Sequence, residues 1–94
     1  MTTKKITAFY LEGCPYCRQA REALKELTDE NKKYSDISIE WIEERQHPEI
    51  SEKYNYYNVP SMFIEDEKIY EARRGESFDE CKENVRRVLE AAMS

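Results

Sequence analysis

Apolar residues along the chain form two kinds of pattern, and the first is typical of β-strands. Residues 5–11 are mostly apolar or β-branched and end close to a glycine, which predicts a short strand buried on both faces. Apolar and polar positions alternate over residues 37–41, which predicts a second strand. Residues 61–64 and 68–72 are two further apolar segments separated by an acidic turn at 65–67, so we expect them to form a hairpin.

The second kind of pattern is helical. From Cys17 onward, apolar side chains recur every three or four residues, which predicts an amphipathic helix of about four turns. Pro15 suits the first helical position, because its missing N–H needs no partner there. A shorter helix is predicted to begin at residues 47–48, with Ile50 and Tyr54 on its apolar face. A last helix carries one apolar stripe, formed by Phe78, Cys81, Val85, Val88, Leu89 and Ala92.

The order of these segments, β-α-β-α-β-β-α, determines the expected fold class. A crossover between parallel strands is right-handed, so the first helix should cover one face of the sheet. The closing hairpin adds an antiparallel part. We therefore predict an α/β fold with one four-stranded mixed sheet and helices on both faces. A chain of 94 residues is long enough for one domain, over residues 1–94, and too short for two that fold separately.

Composition and charge exclude several classes of function. The chain has 20 acidic and 15 basic residues, a net charge of -5, and no basic stripe that could bind a phosphate backbone. Its longest apolar run is far too short to cross a bilayer. Residues 1–10 lack the apolar stretch and cleavage site of a signal peptide. We therefore expect a cytoplasmic monomer that binds neither nucleic acid nor membranes.

The cysteines carry the candidate chemistry. An odd number of cysteines, three, without an export signal argues against a framework of structural disulfides. Cys14 and Cys17 flank the start of the first helix, where free N–H groups and the helix dipole stabilise a thiolate at the N-cap. Zinc normally needs four ligands, and only His47 and Cys81 remain as further candidates. The spacing therefore favours a nucleophilic Cys14 with a resolving Cys17 over a metal site or inert packing. Cys81 is expected in the core.

The motif Cys14-Pro15-Tyr16-Cys17 directly after a strand, with Val59-Pro60 before a later strand, resembles the glutaredoxins of the thioredoxin superfamily. The resemblance covers nearly the whole chain in the same order of elements. It implies a thioredoxin-like fold in which Cys14 is the exposed nucleophile and Cys17 resolves. It also implies that Pro60 follows a cis peptide bond beside Cys14, and that the backbone of Val59 pairs with a substrate peptide or glutathione. Tyr16 is expected to shape the substrate groove.

The chain also departs from the glutaredoxin pattern. Glutaredoxins usually carry a lysine or arginine three residues before the first cysteine, to hold a carboxylate of glutathione, and this chain has Leu11. The glutaredoxin segment that binds the γ-glutamyl end of glutathione corresponds imperfectly to residues 73–79. In that segment Ser77 and Asp79 are the candidate substrate-binding residues. Arg73 or Arg74 either replaces the missing positive charge or is an ordinary surface residue.

The middle of the chain resembles thioredoxin instead. Residues 48–54, followed by Val59-Pro60-Ser61, are similar to the thioredoxin segment before its cis-proline. Thioredoxins, however, place Gly-Pro between their cysteines and bury an aspartate six residues before the first one, where this chain has Ala8. We therefore expect no carboxylate at that position to transfer protons.

The resemblance implies a thiol–disulfide oxidoreductase that reduces disulfides in proteins or mixed disulfides of glutathione. No bound cofactor or metal is expected, and glutathione is the expected reductant. One alternative is a thioredoxin-like electron donor recharged by thioredoxin reductase. Another is a protein in which Cys14 of two subunits, with two glutathiones, holds an iron–sulfur cluster and colours the protein brown. A redox-silent binding module is a third, which the presence of both cysteines disfavours.

Overall fold

The strands and helices of the computed structural model, which describes residues 3–93, follow the predicted order. The first and last helices both begin where the sequence pattern placed them, and the hairpin strands differ from the prediction by about one residue at their ends. The elements are β1 (Ile6–Tyr10), α1 (Pro15–Glu30), β2 (Ile39–Glu43), α2 (Pro48–Ser51), β3 (Ser61–Ile64), β4 (Glu67–Glu71) and α3 (Phe78–Met93).

The four strands form one mixed sheet in the order β2-β1-β3-β4. β1 and β2 are parallel, with Ile6 opposite Ile39, and α1 makes the crossover between them. β1 and β3 are antiparallel, with Ile6 opposite Ile64, and β3 and β4 form the predicted antiparallel hairpin. The chain passes from the carboxyl end of the central strand β1 into α1, so Cys14 and Cys17 lie at that edge of the sheet.

Side chains of the central strands alternate between two cores on opposite faces of the sheet. Residues Ile6 and Ala8 of β1 point to the face where α1 and α3 pack together, and Cys81 is buried there at 0% exposure. The opposite face is smaller and aromatic, with Phe9 and Phe63 in a perpendicular arrangement at 5.8 Å between ring centroids. Helices therefore cover both faces, which confirms the predicted α/β fold, and Cys81 lies in the core as expected.

Two local predictions differ from the structure, and one element was not predicted. β2 begins and ends two residues later than the predicted 37–41, because the Ile37 N–H still donates to the Tyr34 carbonyl of the preceding helical turn. The second helix ends at Ser51, so Tyr54 lies beyond it, although both Ile50 and Tyr54 still pack on the aromatic core. The segment after α1 forms a short 3₁₀ helix over Lys32–Asp36. Its start is fixed because the Asn31 side chain accepts a hydrogen bond from the Lys33 N–H at 3.1 Å, a local bond that hydrophobic periodicity does not reveal. Within residues 3–93, no helix is long and apolar enough to span a membrane.

Candidate active site

Cys14 lies at the N-cap of α1, with extended backbone angles (φ -76°, ψ 123°). Pro15 is the first helical residue, as the sequence predicts, and the Cys14 side chain makes no capping hydrogen bond. The thiol is half-buried and its Sγ lies 3.9 Å from the Val59 carbonyl oxygen. The thiol therefore lies at the positive end of the helix dipole, next to the loop that precedes β3.

Cys17 lies one turn further along α1 and is 3% exposed. Burial raises the pKa of the Cys17 thiol to about 12, and a hydrogen bond with the Cys14 thiol acts in the same direction. A backbone hydrogen bond from Leu11 and the charge of Arg21 oppose this effect but do not cancel it. The two thiols are thus close together but differ in exposure, and Cys17 is protonated at neutral pH.

The loop before β3 has the conformation that the resemblance implies. The Val59–Pro60 peptide bond is cis, Pro60 is buried, and Val59 is half-buried beside Cys14. The predicted proximity of this loop to the first cysteine is therefore confirmed. The pairing of Val59 with a substrate strand stays a prediction.

A groove runs from this loop across the start of α1, and we call it the Val59 groove. Tyr16 lies in its wall, and its hydroxyl accepts a hydrogen bond from the Gly75 N–H at 2.7 Å. That this groove receives the substrate stays a prediction. Gly75 has a φ of +83°, which favours glycine at this turn. The groove has a volume of about 280 Å³ and is lined by Leu11, Tyr16, Glu44, Tyr57, Asn58, Val59, Ala72, Arg73 and Arg74.

A second cavity, of about 380 Å³, lies at the cysteines themselves. Both Cys14 and Cys17 line it, together with the exposed Arg18 and Arg21. The Arg21 guanidinium lies 4.1 Å from the centroid of the Trp41 ring, a cation–π contact that holds this arginine against the edge of the sheet. Among residues 3–93, no group of three or more His, Cys, Asp or Glu side chains could hold a metal ion.

The predicted substrate-binding residues at the start of α3 have structural contacts of their own. The Ser77 hydroxyl accepts a hydrogen bond from the Glu80 N–H at 3.1 Å, and the Glu80 carboxylate accepts one from the Ser77 N–H at 3.3 Å. This reciprocal pair is a capping box, which starts the helix. Asp79 is exposed, and neither Ser77 nor Asp79 lines the two cavities beside the cysteines. Their contribution to substrate binding stays a prediction.

Arg73 and Arg74 both line the Val59 groove, so the structure brings these two positive charges into the same groove as Leu11. Arg73 is paired with the Glu80 carboxylate. Leu11 lines the same groove, so its wall is apolar at that position.

Buried carboxylates around the site were not found from the sequence. Glu43, at the end of β2, is only 4% exposed, and its Oε2 accepts a hydrogen bond from the Glu12 N–H at 2.9 Å. Its Oε1 accepts one from the Arg45 N–H at 2.7 Å. These bonds hold the turn that leads into Cys14. The sequence signal is weak, because an acidic residue at the end of a strand is usually exposed.

Glu76 is a second buried carboxylate, in the loop between β4 and α3. It is 6% exposed, and its carboxylate accepts hydrogen bonds from the Tyr70 hydroxyl at 2.5 Å and the Asn84 side chain at 3.2 Å. The Glu76 carbonyl accepts a bond from the Gln19 side chain of α1 at 3.3 Å. The loop that ends at Glu76 is therefore fixed to both α1 and α3.

Glu43→Gln is expected to destabilise the protein at neutral pH and to flatten its acid unfolding curve. Hydrogen bonds from the Glu12 and Arg45 N–H groups hold the pKa of Glu43 below its ordinary value of 4.5, against the effect of burial. The ionised carboxylate therefore stabilises the fold above about pH 4.5, and this contribution is lost as pH falls through the lowered pKa. The measurement is the free energy of unfolding in urea between pH 3 and 7.

The matched control for this prediction is Glu40→Gln, on the same strand. Glu40 is exposed and paired with Lys5 at 2.9 Å, and exposed ion pairs contribute little. We expect the difference between wild type and Glu43→Gln to be largest at pH 7 and to shrink below pH 4.5, and Glu40→Gln to stay close to wild type. A constant difference across the pH range would contradict the prediction.

Comparison with known proteins agrees with the fold. A sequence model described as thioredoxin domain matches residues 4–73, which include both cysteines and Val59-Pro60. No curated protein matches the sequence.

Solved structures resemble the whole chain. Thioredoxin 1 from the thermophilic eubacterium Thermosipho africanus is 24% identical, with a TM-score of 0.58 over 96% of this chain and 99% of that one. A mutant thioredoxin from Halobacterium salinarum is 17% identical, with a TM-score of 0.60 over 99% and 77% of the two chains. Human ERp44 is 17% identical, with a TM-score of 0.56, and the match covers 94% of this chain and 28% of that one.

At these identities the solved structures bear on the fold alone, and the finer assignment to the glutaredoxins stays a prediction. The matched segment spans all four strands of the sheet, α1 and the loop before β3. The chain belongs to the thioredoxin domain family.

Proposed function

We propose that the chain is a thiol–disulfide oxidoreductase that reduces disulfides in proteins or mixed disulfides of glutathione through Cys14 and Cys17. The observation that supports this most is the contrast between two neighbouring thiols. Cys14 is accessible at the start of α1 beside the Val59 carbonyl, whereas Cys17 is 3% exposed and protonated at neutral pH. One thiol is placed to meet a substrate, and the other is shielded until the first has reacted.

The reaction consists of two thiol–disulfide exchanges. The Cys14 thiolate attacks one sulfur of the substrate disulfide, the substrate S–S bond breaks, and the other sulfur leaves and takes up a proton. Cys17 then loses its proton and attacks the Cys14 sulfur of the mixed disulfide, releasing the second substrate thiol. Two electrons pass to the substrate, and the protein is left with a Cys14–Cys17 disulfide. Neither exchange needs a bound cofactor.

Two electron donors could restore the dithiol, namely glutathione and a thioredoxin reductase. The Cys-Pro-Tyr-Cys motif favours glutathione, and the thioredoxin-like segment before β3 favours a thioredoxin reductase. Leu11 in the Val59 groove stands where the glutaredoxin pattern has a lysine or arginine that binds a glutathione carboxylate. A lost charge-assisted hydrogen bond costs about 1.5–3 kcal/mol, or roughly ten- to a hundredfold in affinity. We therefore expect glutathione to recharge the protein detectably but inefficiently.

The experiment compares donors on the oxidised protein with NADPH as the final reductant. One arm contains glutathione and glutathione reductase, and the other contains thioredoxin reductase. Each is run on wild type and on Leu11→Lys, with Leu11→Met as a control of similar size without charge. We expect Leu11→Lys to raise the rate at limiting glutathione by roughly ten- to a hundredfold, and Leu11→Met to leave it unchanged.

Three outcomes would change the proposal. If glutathione recharges wild type as fast as it recharges a glutaredoxin that carries the lysine or arginine, then Leu11 does not weaken glutathione binding appreciably. Rapid recharging by thioredoxin reductase alone would identify a thioredoxin-like electron donor. Failure of both donors, with no reduction of a protein disulfide, would favour a redox-silent binding module.

A further inference from the structure

One rim of the Val59 groove presents an exposed aromatic ring on a fixed backbone. Tyr57 is 88% exposed, the most exposed large hydrophobic side chain among residues 3–93. Its N–H and that of Asn58 both donate to the Glu71 Oε2, at 2.7 and 2.6 Å. Lys68 holds the other oxygen of Glu71 at 2.6 Å. The backbone is therefore fixed where the ring projects into solvent, two residues before Val59, and an exposed ring of this kind suits a binding surface better than a core.

Another residue that lines the groove presents a positive charge. Among the groove's charged residues, Arg73 is paired with Glu80, and Glu44 accepts a hydrogen bond from the Tyr56 hydroxyl at 2.6 Å. Arg74 is exposed and makes no ion pair with any other residue in 3–93. Its backbone is held in place because the next residue, Gly75, donates to the Tyr16 hydroxyl. One cation therefore remains free to bind an anionic group in the groove.

The size of the groove bears on the kind of occupant. Cavities that enclose whole small-molecule ligands usually measure about 300–1,000 Å³, and this one measures about 280 Å³ and is open. A groove of that size, with an apolar floor of Leu11 and Ala72, suits one or two side chains of a larger partner. Because Val59 lies at its end beside Cys14, those side chains would belong to residues next to the cysteine under attack.

We infer that the Val59 groove selects protein disulfides in which an acidic side chain lies next to the cysteine. Arg74 binds the carboxylate, and Tyr57 packs against another side chain of the same substrate segment. This inference rests on the proposed reductase function and adds a substrate class to it. Guanidinium groups bind carboxylates through two parallel hydrogen bonds. Such a contact on an accessible rim predicts a preference of about three- to tenfold.

The test uses two peptides that differ only in the residue before a cysteine, aspartate in one and lysine in the other. Each peptide is joined by a disulfide to the same small thiol, and its reduction is followed as kcat/KM. We expect wild type to prefer the aspartate peptide by about three- to tenfold, and the preference to fall as salt rises. Arg74→Glu is expected to reverse the preference, which also shows that this variant is folded. Tyr57→Ser is expected to raise KM for both peptides without lowering kcat.

Arg86→Glu is the matched control, because it makes the same charge change on the exposed face of α3. Arg86 is paired only with Glu83 among the described ion pairs and lines neither cavity beside the cysteines. It should keep the preference of wild type. Equal rates for the two peptides, or an Arg74→Glu variant that slows both equally, would overturn the inference and leave the reductase function standing. Failure of wild type to reduce either peptide would instead overturn the proposed function.

Discussion

Cys14→Ser is expected to lower the rate of disulfide reduction by more than about a thousandfold, because a hydroxyl at neutral pH is a far weaker nucleophile than a thiolate. Cys17→Ser is expected to fail differently. Its Cys14 still attacks the substrate, but nothing attacks the Cys14 sulfur afterwards, so the mixed disulfide persists. Mass spectrometry without reductant should find the Cys17→Ser protein covalently joined to a protein substrate, and the Cys14→Ser protein free.

Cys81→Ala is the control for both substitutions. Cys81 is 0% exposed in the core formed with α1, and burial raises the pKa of its thiol. Removing a small buried side chain costs stability, on the order of 1 kcal/mol, but should leave turnover unchanged. A covalent complex on Cys14→Ser rather than Cys17→Ser would reverse the proposed roles of the two thiols. A loss of turnover in Cys81→Ala as large as that in Cys14→Ser would contradict the two-cysteine mechanism.

The second large effect is the order in which the thiols are alkylated. Burial raises the pKa of Cys17 from its ordinary 9.0 to about 12, which lowers the thiolate fraction near neutral pH about a thousandfold. Cys81 is shielded by the core. Brief treatment of the reduced protein with iodoacetamide at pH 7.5 should therefore modify Cys14 first, by at least about a hundredfold over either other thiol.

The pH dependence gives an independent check. Between pH 7 and 10, alkylation of Cys17 should rise about tenfold per pH unit, because the thiolate fraction rises in that proportion below the pKa. In guanidinium chloride all three thiols should react at similar rates, since the fold no longer shields two of them. Faster modification of Cys17 or Cys81 than of Cys14 in the folded protein would contradict the proposed division of roles.

The sequence predicts those features of this protein that depend on residues close together in the chain. The N-cap position of Cys14 follows from Pro15 and the periodicity of α1. The order of strands and helices follows from alternating and helical patterns, and the right-handed crossover limits how they assemble. The approach of Val59 to Cys14, across 45 residues, was implied by resemblance and is confirmed by the 3.9 Å contact.

The parts that could not be predicted depend on where the fold places polar side chains. Glu43, Glu71 and Glu76 look like ordinary acidic residues in a chain with 20 of them. Each holds backbone or side-chain donors from another part of the site, and only the assembled sheet brings those donors within reach. Tyr54 shows why the end of α2 was placed too late, since it lies beyond the helix and still packs on Phe9 at 4.8 Å between ring centroids.

The hydrogen bond between Gly75 and the Tyr16 hydroxyl has a consequence for engineering. Tyr16 is one of the two residues between the cysteines, where a substitution lies next to both thiols. It also restrains the loop that carries Arg73 and Arg74. Exchanging Tyr16 for a residue without a hydroxyl would change the surroundings of the thiols and release that loop at the same time. Tyr16→Phe should therefore accompany any such redesign, so that the loss of the hydroxyl can be measured separately from the change of ring.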